Sequence, residues 1–158
     1  MPNFLQQDTL IAQNFFLEIK GDIVTYLSGV SGLDLSMDVA ESIQVGPDGK
    51  KTIRKMLGAH IKPSDLSLTR VAPPEMAQDA LWKWFNTIYQ KGMPHANRGE
   101  ERKDGSIVIY DSAGTEVARF NFFNGWPSKI STDALSVDSN DPVKETITLT
   151  IERLERVK

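Results

Sequence analysis

The sequence predicts a mainly β fold of the α+β class: an antiparallel β-barrel or sandwich with one flanking α-helix and a long projecting hairpin. Apolar and polar residues alternate in several separate segments, which is the period of a half-buried strand. Only one segment has the spacing of three and four that an amphipathic helix requires. Antiparallel strands with a single helix are typical of small layered β domains. At 158 residues without an internal repeat, we expect one domain over residues 1–158.

The N-terminal part predicts an arm followed by two short strands. Residues 1–13 carry one charge, Asp8, and only weak periodicity, so we expect an N-terminal arm that is ordered where something docks it. The segment NFFLEIK (14–20) has the alternation of a strand, and IVTYL (23–27) is expected to be a second short strand. The two glycines of SGVSG (28–32) then end the second strand.

The clearest alternation in the chain predicts a long hairpin over residues 33–62. Most odd positions from Leu33 to Val45 are apolar and most even positions are polar, so one face should be buried and the other wet. GPDG (46–49) predicts the turn, because Pro47 fixes its own φ and a glycine follows. A usual strand has about 5–6 residues, so a pair of this length is expected to project from the body.

The projecting hairpin raises the question of what covers it. Natural proteins usually blunt or cover exposed strand edges. The apolar side chains of this strand pair favour cover by another subunit, and the sparsely charged arm favours the same interpretation. The side chains concerned are those of Met37, Val39, Ile43, Val45, Ile53, Met56 and Leu57. Both features indicate assembly more than catalysis.

One amphipathic helix is predicted over residues 75–91. Two prolines and then Glu75 form a typical start, since proline suits the first turn and an acid suits the positive end of the helix. Leu81, Trp84 and Ile88 keep the helical spacing, and Lys91 followed by glycine is a typical end. We expect about four turns that cover a sheet.

The C-terminal half predicts further strands around an unusual aromatic stretch. DLSLTRV, SIVIYD, TEVARFNFF and ETITLTIERL alternate as strands do, and SAG joins the second to the third as a hairpin. FNFFNGWPSKIS (120–131) is compatible with a ligand cage, a nucleic-acid stacking platform or a piece of architecture. A stacking platform needs basic residues between its aromatics, and only Arg119 and Lys129 flank this one, so architecture is favoured. The predicted core or corner residues are Trp84, Phe85, Phe120, Phe122, Trp126 and Pro127.

The composition excludes several classes of protein. A net charge of -3 weighs against a nucleic-acid binder, which needs a clustered excess of Lys and Arg. The absence of cysteine excludes disulfides and thiolate chemistry, and it suits a reducing cytoplasm. The N-terminus lacks the pattern of a secretory signal, and no apolar run reaches the ~20 residues that span a bilayer. We therefore expect a soluble protein without a signal peptide or membrane insertion.

No group of residues indicates an enzyme. His60 and His95 lie far apart in the chain, and neither has a partner at the spacing of metal ligands. Nucleophile-elbow, phosphate-loop and zinc-helix motifs are absent. Asp34 and Asp38 would lie about 13 Å apart on a strand, too far to act on one bond. We expect no catalytic residue, no cofactor and no metal site.

Five segments of the chain, in order, resemble the tail tube proteins of contractile-tail phages and phage-tail-like contractile injection systems, which are relatives of the type VI secretion tube protein Hcp. These segments are NFFLEIKG, VSGLDLSMDVAES, IRKMLGAHIKPSDLSLTR, ALWKWFNTI and GSIVIYDSAGTEVARFNFFNGWPSKI, and they span nearly the whole chain. The chain departs from the family pattern at Leu57, where proline is common. It also departs at Phe120 and Gly125, where tryptophan and alanine are usual.

The resemblance implies a structural subunit of an inner tube. Homohexameric rings would stack into a hollow conduit inside a contractile sheath, and each subunit would lend strands to a continuous sheet around the channel. The implied partners are further copies of the chain, the sheath protein, baseplate and tube-cap proteins, and DNA or effector protein cargo bound without sequence specificity. The implied location is a phage virion or a released injection particle, assembled in the bacterial cytoplasm. A closed ring would leave no free sheet edge.

Two surfaces of such a tube are predicted from the hairpin. The candidate lumen-facing residues are Asp34, Ser36, Asp38 and Ser42, with the outer surface as the alternative. An acidic lining would let cargo slide because like charges repel phosphates. The candidate inter-ring or inter-subunit contacts are Gly46, Pro47, Asp48, Gly49, Lys50, Lys51, Arg54 and Lys55. A baseplate-proximal tube paralogue stays open as an alternative, as does a monomeric β-barrel that binds a small ligand through Trp82, Trp84 and Trp126.

Overall fold

The computed structural model describes residues 14–61, 63–91 and 101–158, and these contain ten strands and one α-helix. The strands are β1 (Asn14–Ile19), β2 (Asp22–Leu27), β3 (Gly29–Ser31), β4 (Met37–Val45), β5 (Lys51–Ile61), β6 (Leu66–Val71), β7 (Lys103–Tyr110), β8 (Glu116–Thr132), β9 (Lys144–Thr150) and β10 (Arg153–Arg156). A 3-10 helix (Met76–Gln78) precedes the α-helix α1 (Ala80–Lys91). The N-terminal arm predicted over residues 1–13 lies outside the described residues.

Eight of the strands form one antiparallel sheet, and β4 and β5 form a separate two-stranded sheet. The larger sheet follows the order β2-β1-β7-β8-β9-β6-β3, and β10 pairs with β8 beside this path. Its two ends meet at Ser28, which joins β2 to β3 and donates its backbone N–H to the carbonyl of Thr69 at 2.8 Å. The mainly β fold with one helix is confirmed. The sheet is curved but not closed into the barrel that the sequence suggested, because β2 and β3 follow one another without pairing.

Strand β8 carries the aromatic stretch 120–131 within a single strand of 17 residues. Its first part pairs with β7 and β10 and its second part pairs with β9. The change of partner falls at Asn124, whose φ of 52° is a conformation that Asn tolerates better than most residues. The Asn124 N–H donates to Asp104 Oδ1 at 2.8 Å, so it is satisfied outside the ladder. The stretch links the two parts of the sheet and does not end a strand.

The ring of Phe122 fixes the packing around this link. Phe122 is fully buried, and its ring lies against the backbones of Gly105 and Gly125. A Cβ on Gly105 would stand 2.5 Å from Phe122 Cζ, and a Cβ on Gly125 would stand 2.9 Å from the ring. A Cβ on Gly105 would also stand 2.6 Å from the Glu18 carbonyl oxygen, so neither position has room for a side chain in this packing. This packing gives a physical reason for the glycine that departs from the family pattern at position 125.

The residues predicted as core or corner lie at different depths. Trp84, Phe122 and Pro127 are buried, whereas Phe120 and Trp126 are partly buried against the core. The rest of the core comes from the inward-facing residues of the sheet and from Leu81 of α1. The main contributors are Leu17, Leu66, Leu68, Ile107, Ile147, Leu149 and Leu154.

Phe85 is the exception among the predicted core residues, because it belongs to an aromatic row on the helix surface. It meets Trp82 edge to face and stacks on Tyr89, each at 6.1 Å between ring centroids. Tyr89 is 77% exposed. This row lies along the side of α1 that the core does not cover.

The helix begins at Ala80 and not at the predicted residue 75, because Asp79 caps it. Asp79 Oδ2 accepts the backbone N–H of Trp82 at 2.9 Å, which satisfies one of the free donors of the first turn. The residues before the cap form the short 3-10 turn instead. The same carboxylate also belongs to a buried ion cluster.

Arg70 forms the centre of that cluster and is only 2% exposed. Its guanidinium binds both oxygens of Asp79 at 2.8 Å, and it donates to Glu145 at 3.1 and 3.2 Å and to Thr25 Oγ1 at 3.3 Å. Trp82 Nε1 donates to the other oxygen of Glu145 at 3.2 Å. The cluster therefore ties β2, β6 and β9 to the start of α1.

The pKa of Asp79 reflects this geometry. Burial alone would raise the pKa of its carboxyl, but the hydrogen bonds from Arg70 and from the Trp82 N–H outweigh burial and hold the pKa below the ordinary value of 3.8. The folded chain therefore binds fewer protons at this site than the unfolded chain does near that pH. The stabilisation is present above pH 3.8 and is lost as the pH falls through the lower, folded value.

We predict that Arg70→Met lowers the free energy of unfolding of the unassembled subunit by about 3–5 kcal/mol, because it leaves two buried carboxylates without a counter-charge. Urea unfolding followed by tryptophan fluorescence measures the change. The control is Lys55→Met, which removes an exposed ion pair with Glu41 and should change stability by about 0–1 kcal/mol. Equal effects of the two substitutions would contradict the structural role of the cluster.

We also predict a specific acid sensitivity. Asp79→Asn should be less stable than the wild type at pH 7, and this difference should shrink as the pH falls below about 4, because the wild-type carboxyl then loses its charge as well. Urea unfolding of both proteins at pH 7, 5 and 3 measures it. A difference that stays constant over this range would show that the Asp79 charge does not contribute.

Candidate assembly interface

The β4–β5 hairpin stands apart from the larger sheet, with its register fixed by antiparallel pairing. The central pairs are Glu41 with Lys55 and Ile43 with Ile53. Within the described chain each strand pairs only with the other, so the outer edges of both strands have unpaired backbone groups. The strands extend from Met37 to Ile61, whereas the sequence predicted a hairpin over 33–62, because residues 32–36 form an irregular connection after β3.

One face of the hairpin is apolar and exposed. Residues directly opposite in an antiparallel pair share a face, so the odd-numbered side chains of both strands lie together. The apolar side chains of this face are 60–88% exposed. They are Val39, Ile43, Val45, Ile53 and Leu57. The same face also carries Lys51 opposite Val45, and it carries Glu41 and Lys55, whose side chains form an ion pair at 3.8 Å. This set is called the apolar face below.

The opposite face of the hairpin is mostly polar. It carries Ser42, Gln44, Thr52 and Arg54. Of the four candidate lumen residues, Asp38 and Ser42 belong to this side and are half-buried, whereas Asp34 and Ser36 are exposed in the connection before β4. The structure therefore does not place the four on one strand face.

A tight contact shapes the base of the hairpin. The register shifts between Met37 and Val39, where β5 contains additional residues. A Cβ on Gly58 would stand 2.4 Å from both the Cβ and the carbonyl oxygen of Asp38, so only glycine fits at this irregularity. Leu57, at the position where the family commonly has proline, points outward and is 88% exposed. The base is therefore built for close approach of the two backbones.

The tip of the hairpin is a closed turn with exposed charges. Gly49 adopts a φ of 77°, and its N–H donates to the carbonyl of Gly46 at 2.9 Å. Asp48 Oδ1 accepts the N–H of Lys50 at 3.2 Å. The turn is thus held by a backbone hydrogen bond and by the carboxylate of Asp48. The side chains of Lys50, Lys51 and Arg54 are exposed, and Lys50 Nζ lies 3.9 Å from Asp48 Oδ2 within the turn.

A second surface, formed by β3, β6, β9 and the second part of β8, is lined by hydroxyl side chains. The registers place these side chains on the face opposite to the buried leucines and isoleucines of the same strands. The residues are Ser31, Ser67, Thr69, Ser131, Thr146, Thr148 and Thr150, called the hydroxyl face below. No carboxylate shares this face in these registers, whereas Val71 and Lys144 stand at one end of it, Trp126 lies opposite Thr150, and Lys129 lies on its outer strand.

The aromatic residues of β8 are occupied by the protein itself. Arg102 lies over the Trp126 ring at 4.7 Å, Arg153 over Phe123 at 5.3 Å and Arg156 over Phe120 at 5.8 Å. Such cation–π contacts use the ring faces that a ligand cage would need. The aromatic stretch therefore serves packing and presents no cage.

Neither a metal site nor a membrane-spanning helix is found among residues 14–61, 63–91 and 101–158. No group of three or more His, Cys, Asp and Glu side chains in these ranges could hold a metal ion. No helix in these ranges is long and apolar enough to cross a membrane. The side chain of His60 and all of His95 lie outside what the structure describes.

Sequence reasoning missed two features whose signals were present. In β9 the threonines that alternate with the isoleucines and the leucine are the sign of a hydroxyl face. Arg70 occupies an inward position in line with Leu66 and Leu68, and a charge at an apolar position indicates a buried ion cluster.

Comparison with known proteins gives one family and a consistent fold. The family described as T4-like virus tail tube protein gp19 matches residues 12–155. No curated protein is a significant match by sequence. A chain of the PVC sheath–tube complex, an extracellular contractile injection system in its extended state, is 23% identical with a TM-score of 0.72, and the match covers 96% of this chain and 93% of that one.

Two further solved structures share the fold. A chain of the PVC sheath/tube terminator is 23% identical with a TM-score of 0.74, over 97% of this chain and 99% of that one. Hcp1 from Flavobacterium johnsoniae is 14% identical with a TM-score of 0.55, over 92% and 95% of the two chains. The resemblance recognised in the sequence is confirmed. The chain belongs to the T4-like virus tail tube protein gp19 family, and it is a structural, non-enzymatic tail tube subunit.

Proposed function

We propose that the chain forms homohexameric rings that stack into the inner tube of a contractile tail or an extracellular contractile injection particle. The observation that carries the proposal is the apolar face of the hairpin, whose side chains are 60–88% exposed. A neighbouring copy of the chain covers this face in the ring or between rings. The tip residues from Gly46 to Lys55 lie at the far end of the same contact.

The energetics of the apolar face favour this cover. Fully burying a Val, Leu or Ile side chain contributes roughly 1.5–3 kcal/mol, so five such side chains represent a large driving force. A two-stranded hairpin is at best marginally stable in water without a third strand or a packed layer. The hairpin therefore gains both its own order and a contact by packing against a second copy.

The form of the contact favours rings and tubes over a closed dimer. The apolar face and the hydroxyl face are different surfaces, because the hairpin is a two-stranded sheet separate from the larger sheet. A projection that fits a different surface of the next copy is a heterologous contact. Repeated heterologous contacts between identical subunits close into rings or continue as helical filaments.

The kind of particle proposed for the chain is supported by the family and by the solved relatives. The PVC chains that share the fold come from a sheath–tube complex and from a sheath/tube terminator, and another relative comes from an anti-feeding prophage baseplate. We extend these settings to this chain. Its partners are then a sheath protein, a tube cap and a baseplate, and its lumen carries DNA or effector protein. Assembly takes place in the bacterial cytoplasm before the virion or particle is released.

The alternative of a small-ligand barrel loses its support in the structure. Trp84 is buried and donates its Nε1 to the Glu101 carbonyl at 2.6 Å. Trp82 donates to Glu145, and Trp126 lies under Arg102. The three tryptophans are thus engaged by the protein in separate places and do not provide the lining that this alternative required.

Electron microscopy of the purified protein with matched variants tests the proposal. We expect the wild type to form rings of six times the 17.6 kDa chain, or tubes of such rings. The double variant Ile43→Lys/Ile53→Lys should fold but remain unassembled, because it places charges on a cross-strand pair of the apolar face. Light scattering gives the mass of each species, and circular dichroism checks the fold.

The control is Gln44→Lys/Thr52→Lys, the adjacent cross-strand pair on the polar face with the same added charge. This control should assemble much better than the apolar-face variant. A wild type that stays a monomer at high concentration would refute the tube. Normal assembly of the Ile43→Lys/Ile53→Lys variant would refute the role of the apolar face.

A further inference from the structure

We infer that the hydroxyl face lines the lumen of the tube, so that the channel wall formed by this sheet carries hydroxyls and methyls without carboxylates. The inference rests on the proposed tube and goes beyond it, because it assigns one surface of the chain to the cargo. It replaces an acidic lining by an almost neutral one on β6, β9 and the adjoining strands.

The composition of the hydroxyl face is the first argument. A quarter of the chain is charged, yet this face holds serine and threonine, with lysines only at its margins. Ordinary exposed surfaces mix charges of both signs, and subunit interfaces expose apolar side chains. Apart from Val71, which is 53% exposed at one end, and the partly buried Trp126 opposite Thr150, the hydroxyl face has neither property. It is a surface that stays in water and offers no strong contact to a partner.

The other surfaces of the chain provide the second argument, because they carry the features that partner proteins use. The outer face of β1, β2 and β7 bears Phe16 against Tyr26 and Tyr110, with ring centroids 4.7 and 5.1 Å apart, and Tyr26 is 69% exposed. Next to it, Arg119 pairs with Glu18 at 2.9 Å and with Glu116 at 2.8 Å. Exposed aromatics beside charged pairs are typical of contacts with other proteins.

The helix side and the hairpin likewise expose aromatic or apolar groups, namely the Phe85–Tyr89 row and the apolar face. A tube subunit must present surfaces to its ring neighbours, to the next rings and to the sheath, and one surface to the lumen. Among the described surfaces, the hydroxyl face has the fewest features for protein binding, with Val71 at its end as an exposed apolar side chain. By this comparison it is assigned to the lumen.

The connections of the hairpin agree with this assignment. The chain leaves the sheet after Ser31 and returns at Leu66, and β3 and β6 pair with one another. The hairpin thus departs from one margin of the strands that carry the hydroxyl face. A neighbour that covers the hairpin must lie beside this margin, so the hydroxyl faces of successive subunits come next to one another around the ring.

A wall of this kind has a consequence for cargo. Neutral hydroxyls exert no long-range field, whereas rows of charge attract polymers of one sign and repel those of the other. Some of the hydroxyls are also engaged within the sheet: Ser131 Oγ donates to the Thr146 carbonyl at 3.4 Å. Proteins of either net charge would therefore meet little attraction along the hydroxyl rows, and the charge that DNA meets on this face is that of Lys129 and Lys144 at its margins.

Thiol labelling with reagents of two sizes tests the inference. The chain has no cysteine, so Ser67→Cys introduces one nearly isosteric thiol in the middle of the hydroxyl face. Assembled tubes are treated with N-ethylmaleimide or with maleimide-coated gold particles wider than the lumen seen by electron microscopy. Unassembled Ser67→Cys subunits are the control, and they should react with both reagents.

In tubes we expect the Ser67→Cys thiol to react fully with N-ethylmaleimide and at least 10-fold less with the gold, which can reach only the tube ends. Thr148→Cys, on the paired strand β9, should behave in the same way. Full gold labelling along the tubes would place the face outside, and protection from both reagents would place it in an interface; either result overturns the inference. If no tubes form, it is the proposed function that fails, and micrographs of the unlabelled wild type distinguish that case.

Discussion

The β4–β5 hairpin has apolar side chains and backbone edges that nothing in the described part of the chain covers, and the rest of the structure depends on this constraint. Its two strands pair only with one another there. The apolar face would be a liability in a monomer, because an uncovered edge with apolar side chains promotes uncontrolled association. In the proposed ring of identical subunits, the same property would provide the contact that holds the subunits together. Cover from a second copy would then determine what the other surfaces can be.

Among the described residues, the hydrophobic core and the buried ion cluster contain no side chain of the β4–β5 hairpin. The core of the body lies between the two parts of the curved sheet and α1, and the Arg70 cluster ties three strands to the start of that helix. The cluster is fully hydrogen-bonded, and no buried polar side-chain atom among the described residues lacks a partner. Such a body can hold the hairpin at a fixed place while leaving its apolar face available. The residues that stabilise the subunit are thus different from those proposed to form the contact between subunits.

How far the sequence predicts the structure depends on whether the forces involved are local. Alternation depends on neighbours along one strand, and it predicted the mainly β class, most strands and the existence of the hairpin. The predicted start of α1 is wrong, because two prolines and Glu75 have the features of a helix start, whereas the cap is Asp79, which accepts the Trp82 N–H. The path of β8 through Asn124 is also a matter of tertiary pairing, since a Gly-Trp-Pro sequence ordinarily indicates a corner.

The surfaces were harder to predict than the fold. Strand parity correctly separates an apolar and a polar side of β4, but it cannot tell that residues 32–36 leave the strand, and this separates Asp34 and Ser36 from Asp38 and Ser42. The hydroxyl face is built from four strands that are far apart in the sequence, so it becomes visible only when their registers are known. Which surface faces a partner is a property of the assembly. In a single chain, the sign of such a surface is a set of exposed apolar or aromatic side chains.

Hydrogen–deuterium exchange is the most direct test of the claim that a second copy covers the hairpin. The backbone amides of residues 37–61 would be followed by mass spectrometry in unassembled subunits and in tubes. Cover by a neighbour predicts exchange at least 100-fold slower in tubes for the hairpin, with little change for the buried strands β6 and β9. Hairpin amides that are already protected in the unassembled subunit, or that exchange equally fast in tubes, would contradict the claim.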